Sequence, residues 1–153
     1  MSSSADSPNT TFDWPVRVYY EDTDAAGVVY YANYLRFMER GRTEWLRALG
    51  YEQDELRERE GILFVVRSVS LDYLASARFN DRLTVTSSVP HHGGASLEFE
   101  QRIIRDADQT CCCRGRVKVA SLDAATMRPK RMPAHLLSGI LSGLAHQAQA
   151  SME

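Results

Sequence analysis

At 153 residues, 44% hydrophobic and 25% charged, the chain has the length and composition of one water-exposed domain with a core of its own. A formal net charge of −2 excludes the strongly basic footprint of a nucleic-acid or anionic-membrane binder. No apolar run approaches the roughly 20 residues of a membrane-spanning helix.

Met1-Ser2-Ser3-Ser4-Ala5-Asp6 lacks the basic and apolar regions of a signal peptide, and residues 1–11 read as a disordered tail. A single domain is expected over 12–148, with a short tail at 149–153. In Trp14 to Tyr20, Val16, Val18 and Tyr20 alternate with Arg17 and Tyr19, which predicts a strand with Pro15 near its start. Glu21, Asp22 and Asp24 follow, with Gly27 close behind. Negative charge thus collects just before an apolar, aromatic segment. Two readings fit: acidic residues favoured by a helix dipole, worth about 0.3–1 kcal/mol, or a carboxylate aimed at a reacting group.

From Asn33 to Leu49 the period becomes helical, with Tyr34, Met38, Gly41, Trp45 and Leu49 on one stripe. Asn33 is the expected cap and Gly50 the stop. Gly41 inside the stripe costs about 1 kcal/mol relative to Ala, which points to close approach between helix and sheet. Glu39 has Arg42 at i+3 and Arg36 at i−3, an arrangement suited to a surface ion pair.

Glu52 to Glu60 is a charged connector with short-helix character. Four strand-like runs follow. Ile62 to Tyr73 is long and apolar, and Leu83 to Val89 alternates with Thr84, Thr86 and Ser88. Leu97, Phe99 and Ile103 alternate with Glu98, Glu100 and Arg102; Cys113, Val117 and Val119 alternate with Arg114, Arg116 and Lys118. Asn80-Asp81, Pro90 to Gly94 and Asp106 to Asp108 are turn material. Antiparallel pairing of the last two runs brings Glu98 and Glu100 to Arg114, Arg116 or Lys118, each pair worth about 0.2–1 kcal/mol. The consecutive Cys111, Cys112 and Cys113 cannot bridge one another on a strand, and are expected to be small buried residues plus one solvent-facing thiol. The segment 134–148 is expected to be helical through Leu136, Leu137, Ile140, Leu141 and Leu144.

Strand, helix, then four antiparallel strands predict an α+β architecture: a five-stranded sheet wrapped around one long helix that covers one face. The remaining face and edges call for oligomerisation.

This order, together with "WPVRVYYEDTDAAGVVYYANYLRFMERGRTEWLR", "FVVRSVSLDYLASARFNDRLTV", "SLEFEQRI" and "MRPKRMP", resembles the hotdog-fold acyl-CoA thioesterases. The likeness runs from about Trp14 to Pro133 and is greatest to the YbgC-like branch associated with the Tol–Pal system. It extends more loosely to the 4-hydroxybenzoyl-CoA thioesterases. The resemblance implies that Asp24 is catalytic, with Asp22 supporting it. It also implies that the backbone at Tyr31 receives the thioester oxygen and that Gly27, Val28, Tyr30 and Asn33 lie against substrate. Two departures stand out: Tyr31 occupies a position where YbgC-like proteins commonly carry histidine, and Gly93 occupies one where relatives often carry a basic residue.

The implied reaction releases free acid and coenzyme A in the cytoplasm, from acyl-CoA or acyl carrier protein, with no cofactor and no metal. The working unit is a homo-oligomer, dimer or dimer of dimers. Helix-start N–H groups suit an oxyanion, and Asp24 suits either direct attack or deprotonation of water. Arg128, Lys130 and Arg131 either hold the coenzyme A phosphates or belong to a solvated loop. A hydratase would want a histidine paired with a carboxylate, which the Tyr31 position opposes. A non-catalytic module binding acyl-CoA, carrier protein or envelope components is the other alternative, with the carboxylates only capping and solubilising. His91, His92, His135 and His146 have no partner at nucleophile or metal spacing. Ser68 and Ser70 lie on a strand with no nucleophile-elbow motif.

Overall fold

The computed structural model describes residues 11–142, so the expected tail at 149–153 and all but Thr11 of the tail at 1–11 lie outside the described residues. The alternating runs become five antiparallel strands: β1 (Phe12–Arg17), β2 (Ile62–Tyr73), β3 (Arg82–Gly93), β4 (Ser96–Arg105) and β5 (Thr110–Asp123). Their order across the sheet is β1-β3-β4-β5-β2. The long β1–β2 connection carries α1 (Asn33–Ala48) and α2, which runs through Gln53–Glu55 into a π-turn at Leu56–Glu60. A third helical stretch, α3, occupies residues 134–142.

Helix α1 packs on β1, β3 and β4. Tyr34, Phe37, Met38, Gly41 and Trp45 are buried, whereas Leu49 at the end of the stripe is half-buried. A Cβ on Gly41 would lie 2.9 Å from Val85 Cγ1 and 3.4 Å from Gln101 Nε2. A larger residue there would force Val85 or the helix to shift. Beside that contact the wholly buried Gln101 donates from Nε2 to the Met38 carbonyl at 3.0 Å and to Ser87 Oγ at 2.9 Å. Its Oε1 accepts from Arg42 Nη1 at 2.9 Å. Burial lowers the Arg42 guanidinium's pKa, and its Cζ lies 5.8 Å from the Phe99 ring centroid. The helix ends in a Schellman pair, with Tyr51 N–H donating to Leu46 O and Gly50 N–H to Arg47 O.

One helix does not cover the core alone. Met132 and, from α3, Leu136 and Ile140 pack with Trp45, Phe99 and Val119 at one end of the sheet. A second cluster, with Phe37, Met38, Val85 and Ile103, fills the other end. The inner face of β2 stays open. Val69 and Tyr73 stand opposite Val117 and Cys113 across the β2–β5 ladder, yet are 42% and 48% exposed.

Several expectations are corrected. The first strand stops at Arg17, because Val18 N–H leaves the ladder for the Asp81 carbonyl. Asn33 is already inside α1; the cap position is Ala32, without a side-chain cap, and Asn33 Nδ2 donates to Asp22 O at 2.9 Å instead. Pro90 to Gly93 is not a turn: β3 runs through it, and the register shift between Ser88 and His91 is where a residue lacking an N–H fits.

The cysteines show why strict alternation fails. β4–β5 pairing slips between Ile103↔Cys113 and Ile104↔Cys111, leaving Cys112 on a bulge. Cys112 and Cys113 are therefore both wholly buried, and Cys111, half-buried, is the one thiol left with access to solvent. Burial raises the Cys112 thiol's pKa and pushes that of Cys113 up to about 12. The expected charge ladder does form: Arg116 reaches Glu98 at 3.6 Å and Glu100 at 3.8 Å.

Gln101→Leu removes every bond of this amide and leaves Arg42 Nη1 and the Met38 carbonyl without it; urea unfolding is expected to show a loss of about 1–3 kcal/mol. A thiol with its pKa near 12 is almost wholly protonated at pH 8, and the thiolate is the reactive form. Iodoacetamide at pH 8 is accordingly expected to alkylate the native protein at Cys111 alone and the urea-unfolded chain at all three positions, as read by peptide mass mapping.

Candidate active site

The acidic stretch folds into a short hairpin that delivers the chain to α1. Tyr20–Asp22 make one 3-10 turn, and buried Asp22 accepts the Tyr19 N–H on Oδ2 at 2.8 Å. The Asp22 carbonyl accepts the Tyr30 N–H at 3.0 Å in addition to Asn33 Nδ2. Thr23 pairs with Val29, and the tip closes through Asp24 N–H to Val28 O and Gly27 N–H to Asp24 O, both 2.9 Å. Gly27 has φ +83°, a conformation that a Cβ would strain.

Of the three carboxylates in this stretch, Asp22 is structural and Asp24 is available. Asp24 is exposed; its Oδ1 accepts the Ala26 N–H at 2.9 Å, and Oδ2 has no partner among the described residues. A main-chain N–H thus fixes one oxygen and leaves the other free to react.

The turn into α1 supplies donors. Asn33, Tyr34 and Leu35 N–H groups bond to the carbonyls of Tyr30 (2.8 Å), Tyr31 (3.4 Å) and Ala32 (3.2 Å). The N–H groups of Tyr31 and Ala32 have no acceptor among the described residues. They are the orphan donors that open a helix, at the positive end of its dipole. The loop after β2 buttresses them: Val29 N–H donates to Ala77 O at 2.8 Å, Ala77 N–H donates to the Tyr34 hydroxyl at 3.0 Å, and Val28 bridges Arg78.

Aromatic rings surround these donors. Tyr30 and Tyr31 lie 4.9 Å apart between centroids, and Tyr73 stands edge-on to Tyr31 at 6.0 Å. A hydrogen bond with Tyr31 raises the Tyr30 phenol's pKa. The Tyr31 side chain is 60% exposed. Among the residues expected to contact substrate, Gly27 and Tyr30 are exposed, Val28 is half-buried, and Asn33 is buried with its amide committed to Asp22. Tyr73 carried no sequence signal as a site residue, being one aromatic at the end of an apolar strand.

The basic residues do not converge. Lys130 Nζ donates to the Glu60 carbonyl at 3.0 Å and lies 3.9 Å from Asp123. Arg131 lies over the turn at Gly94, while exposed Arg128 follows the Asp123–Thr126 turn. Arg128 and Arg131 have no ion pair among the described residues. Glu39 is exposed and forms no close ion pair among the described residues: Arg42 turns inward to Gln101 and feels Glu39 only as a nearby charge. His91 and His92 are exposed. His135 approaches Tyr51 at 3.2 Å and Glu60 at 3.4 Å on the surface, and His146 lies outside the described residues.

The model of the thioesterase-like superfamily matches residues 18–140. The chain is 46% identical over 122 residues to the acyl-CoA thioesterase YbgC of Haemophilus influenzae, covering 80% of this chain and 88% of that one. It is 44% identical over 131 residues to the acyl-CoA thioester hydrolase YbgC of Escherichia coli, covering 85% and 96%. Among solved structures, a probable thioesterase from Bartonella henselae superimposes with a TM-score of 0.75 at 34% identity, covering 80% of this chain and 99% of that one.

Proposed function

Because the chain belongs to the thioesterase-like superfamily, and within it to the YbgC-like hotdog thioesterases, we propose that it hydrolyses acyl-CoA thioesters to free acid and coenzyme A. The observation that carries this reading is the exposed Asp24 carboxylate on a hairpin tied through Asp22 to a helix start with two unbonded N–H groups.

In this reading the Tyr31 and Ala32 N–H groups receive the thioester oxygen. As the carbonyl carbon becomes tetrahedral, charge gathers where donors are already in place, an effect worth roughly 3–4 kcal/mol per donor in such sites. Asp24 drives the addition by one of two balanced routes. Its oxygen attacks the carbonyl carbon, the C–S bond breaks to release the CoA thiolate, and water cleaves the mixed anhydride. Alternatively Asp24 takes a proton from water, the water oxygen attacks, and the proton passes to the departing sulfur. A single turnover in 18O-water tests the anhydride route: label in Asp24 and none in the product acid marks an anhydride opened at the Asp24 carbonyl, whereas one 18O in the acid marks water attack on the acyl carbon.

Tyr31 acts through its main chain, with its ring, the Tyr30 ring and the Val28 side chain against the acyl group. Arg128 and Arg131 are free to meet the nucleotide phosphates, whereas Lys130 would first have to give up Glu60 and Asp123. The chemistry calls for no added cofactor, since coenzyme A is part of the substrate. A cytoplasmic site with access to acyl-CoA or acyl carrier protein completes the reading.

Asp24 and its donors lie open on a single chain, which suits a homo-oligomer, dimer or dimer of dimers. β2 leaves one edge unpaired among the described residues and exposes Val66, Val69 and Tyr73 beside it. A second sheet wrapped around its own helix would meet the first there and close the site from water.

Asp24→Asn keeps size and hydrogen bonding but removes the charge. It is expected to lower kcat by about 10²–10⁴-fold in a thiol-release assay with a panel of acyl-CoAs. Full activity with an intact fold would overturn the assignment in favour of a binding module. Light scattering on the eluted protein is expected to give two or four chains per particle, and a lysine at Val69 is expected to shift it toward monomer.

A further inference from the structure

We propose that Arg105 is a positioning residue: from the end of β4 it clamps the loop against which the Asp24 hairpin is paired. This inference rests on the thioesterase reading above and adds to it a residue from another part of the sheet.

The hairpin that carries Asp24 has a third segment alongside it. Val29 pairs with Thr23 on one side; on the other, Val29 N–H donates to Ala77 O at 2.8 Å and Val28 bridges Arg78. Residues 77–78 are thus the rail along which the second arm of the hairpin lies. Main-chain bonds tie the loop down only to either side of its middle. Before it, Leu74 N–H and Ala75 N–H donate to the Cys112 carbonyl at 2.8 and 3.1 Å. After it, Asp81 N–H donates to Arg78 O at 3.1 Å and Asp81 O accepts the Val18 N–H at 2.9 Å. The peptide joining Ser76 to Ala77 makes no main-chain hydrogen bond among the described residues. Two side chains hold it instead, one at each end. Its N–H donates to the Tyr34 hydroxyl at 3.0 Å, which ties it to α1. Its carbonyl accepts from Arg105 Nη1 at 3.0 Å, which ties it to the sheet.

Arg105 is itself aimed. Its Nε and Nη2 donate to the two oxygens of Asp108, each at 3.0 Å, a parallel fork that fixes the guanidinium in plane as well as in place. The β4–β5 turn fixes Asp108 in its turn: Oδ1 also accepts the Thr110 N–H at 3.2 Å, and Gln109 N–H donates to Arg105 O at 2.7 Å. The fork holds the Asp108 carboxyl well below the usual carboxylate range, so the pair stays charged at neutral pH. Nη1 is the donor left over, and it is directed at Ser76. A lysine has no such fork. An ion pair this near the surface adds little to stability. What it adds is a fixed place for the loop, and through Val28 and Val29 for the hairpin that carries Asp24.

The test measures kcat, KM and the thermal midpoint of the wild type, Arg105→Ala, Arg105→Lys, Asp108→Ala and Asp24→Asn with acetyl- and benzoyl-CoA. Arg105→Ala is expected to lower kcat roughly 10-fold with KM within about twofold, since a misplacement of 1 Å can cost about 100-fold. Arg105→Lys and Asp108→Ala are expected to lose a comparable factor, because each breaks the fork. Millimolar ethylguanidinium is expected to restore rate to Arg105→Ala and none to Asp24→Asn. Amide hydrogen exchange at Val29 and Ala77 is expected to quicken in Arg105→Ala, with Ile103 and Val117 unchanged. A residue that only stabilised the fold would move the thermal midpoint and leave the rescue and the local exchange untouched. An unchanged kcat in folded Arg105→Ala, a change confined to KM, or exchange that quickens throughout the sheet would overturn the inference. An inactive Asp24→Asn beside a fully active Arg105→Ala would defeat this inference alone, whereas an active Asp24→Asn would defeat the site and this inference with it.

Discussion

The amide of Gln101 is the joint between helix and sheet. A glutamine side chain offers two donors and one acceptor oxygen, and here all three bonds are directed: to the Met38 carbonyl, to Ser87 and from Arg42. Each would cost about 1–3 kcal/mol if left unmade in a dry core. The joint works because Gly41 lets the helix backbone come near enough for a side chain on β4 to reach it. Slide α1 by one residue and the glycine leaves Val85, a larger side chain takes its place, and the amide loses its targets. Register of the helix along the sheet is thus specified more sharply than apolar packing alone would require.

That register is what gives the helix entrance its position. With α1 fixed at its middle, the free Tyr31 and Ala32 N–H groups stand at a set place relative to β2 and the loop after it. Asp22 then sets the hairpin: its carboxylate holds Tyr19 and its carbonyl holds both Tyr30 and Asn33. Burying a carboxylate is costly unless it is bonded. Asp22 meets that condition, while its neighbour Asp24 stays at the surface. Two acidic residues separated by one threonine therefore differ in place, one built into the hairpin and one left at its surface.

Periodicity made the strands and α1 legible, because side-chain alternation and the helical stripe are direct consequences of burying one face. Gly41 was legible for the same reason: a glycine in an apolar stripe has to be explained by contact. Asp24 and the Tyr31 backbone became candidates through the family's motif, not through composition. The misses share one cause, namely a local rule overridden by a partner distant in sequence. Asn33 reads as a cap, but Asp22 offers its amide a better-placed carbonyl. Pro90 to Gly93 reads as a turn, yet a register shift absorbs the missing N–H and the strand continues to Gly93, turning only at Gly94. Arg42 reads as Glu39's partner, and Gln101 claims it instead. Arg128, Lys130 and Arg131 read as one cluster, but a bridge between Leu122 and Pro129 fixes the chain so that their side chains part.

The bulge at Cys112 places two sulfur atoms side by side in the interior and uses the Cys112 carbonyl to fasten the end of β2. While the protein stays closed, those sulfurs are out of reach of peroxide. Once opened, they are not. A sulfinic group has no room and no hydrogen-bond partners in a pocket built for a bare thiol. A chain oxidised there during an unfolding excursion would be barred from closing the same way again. Damage of this kind would be recorded as permanent loss of folded molecules, with the survivors unaltered at Cys112 and Cys113.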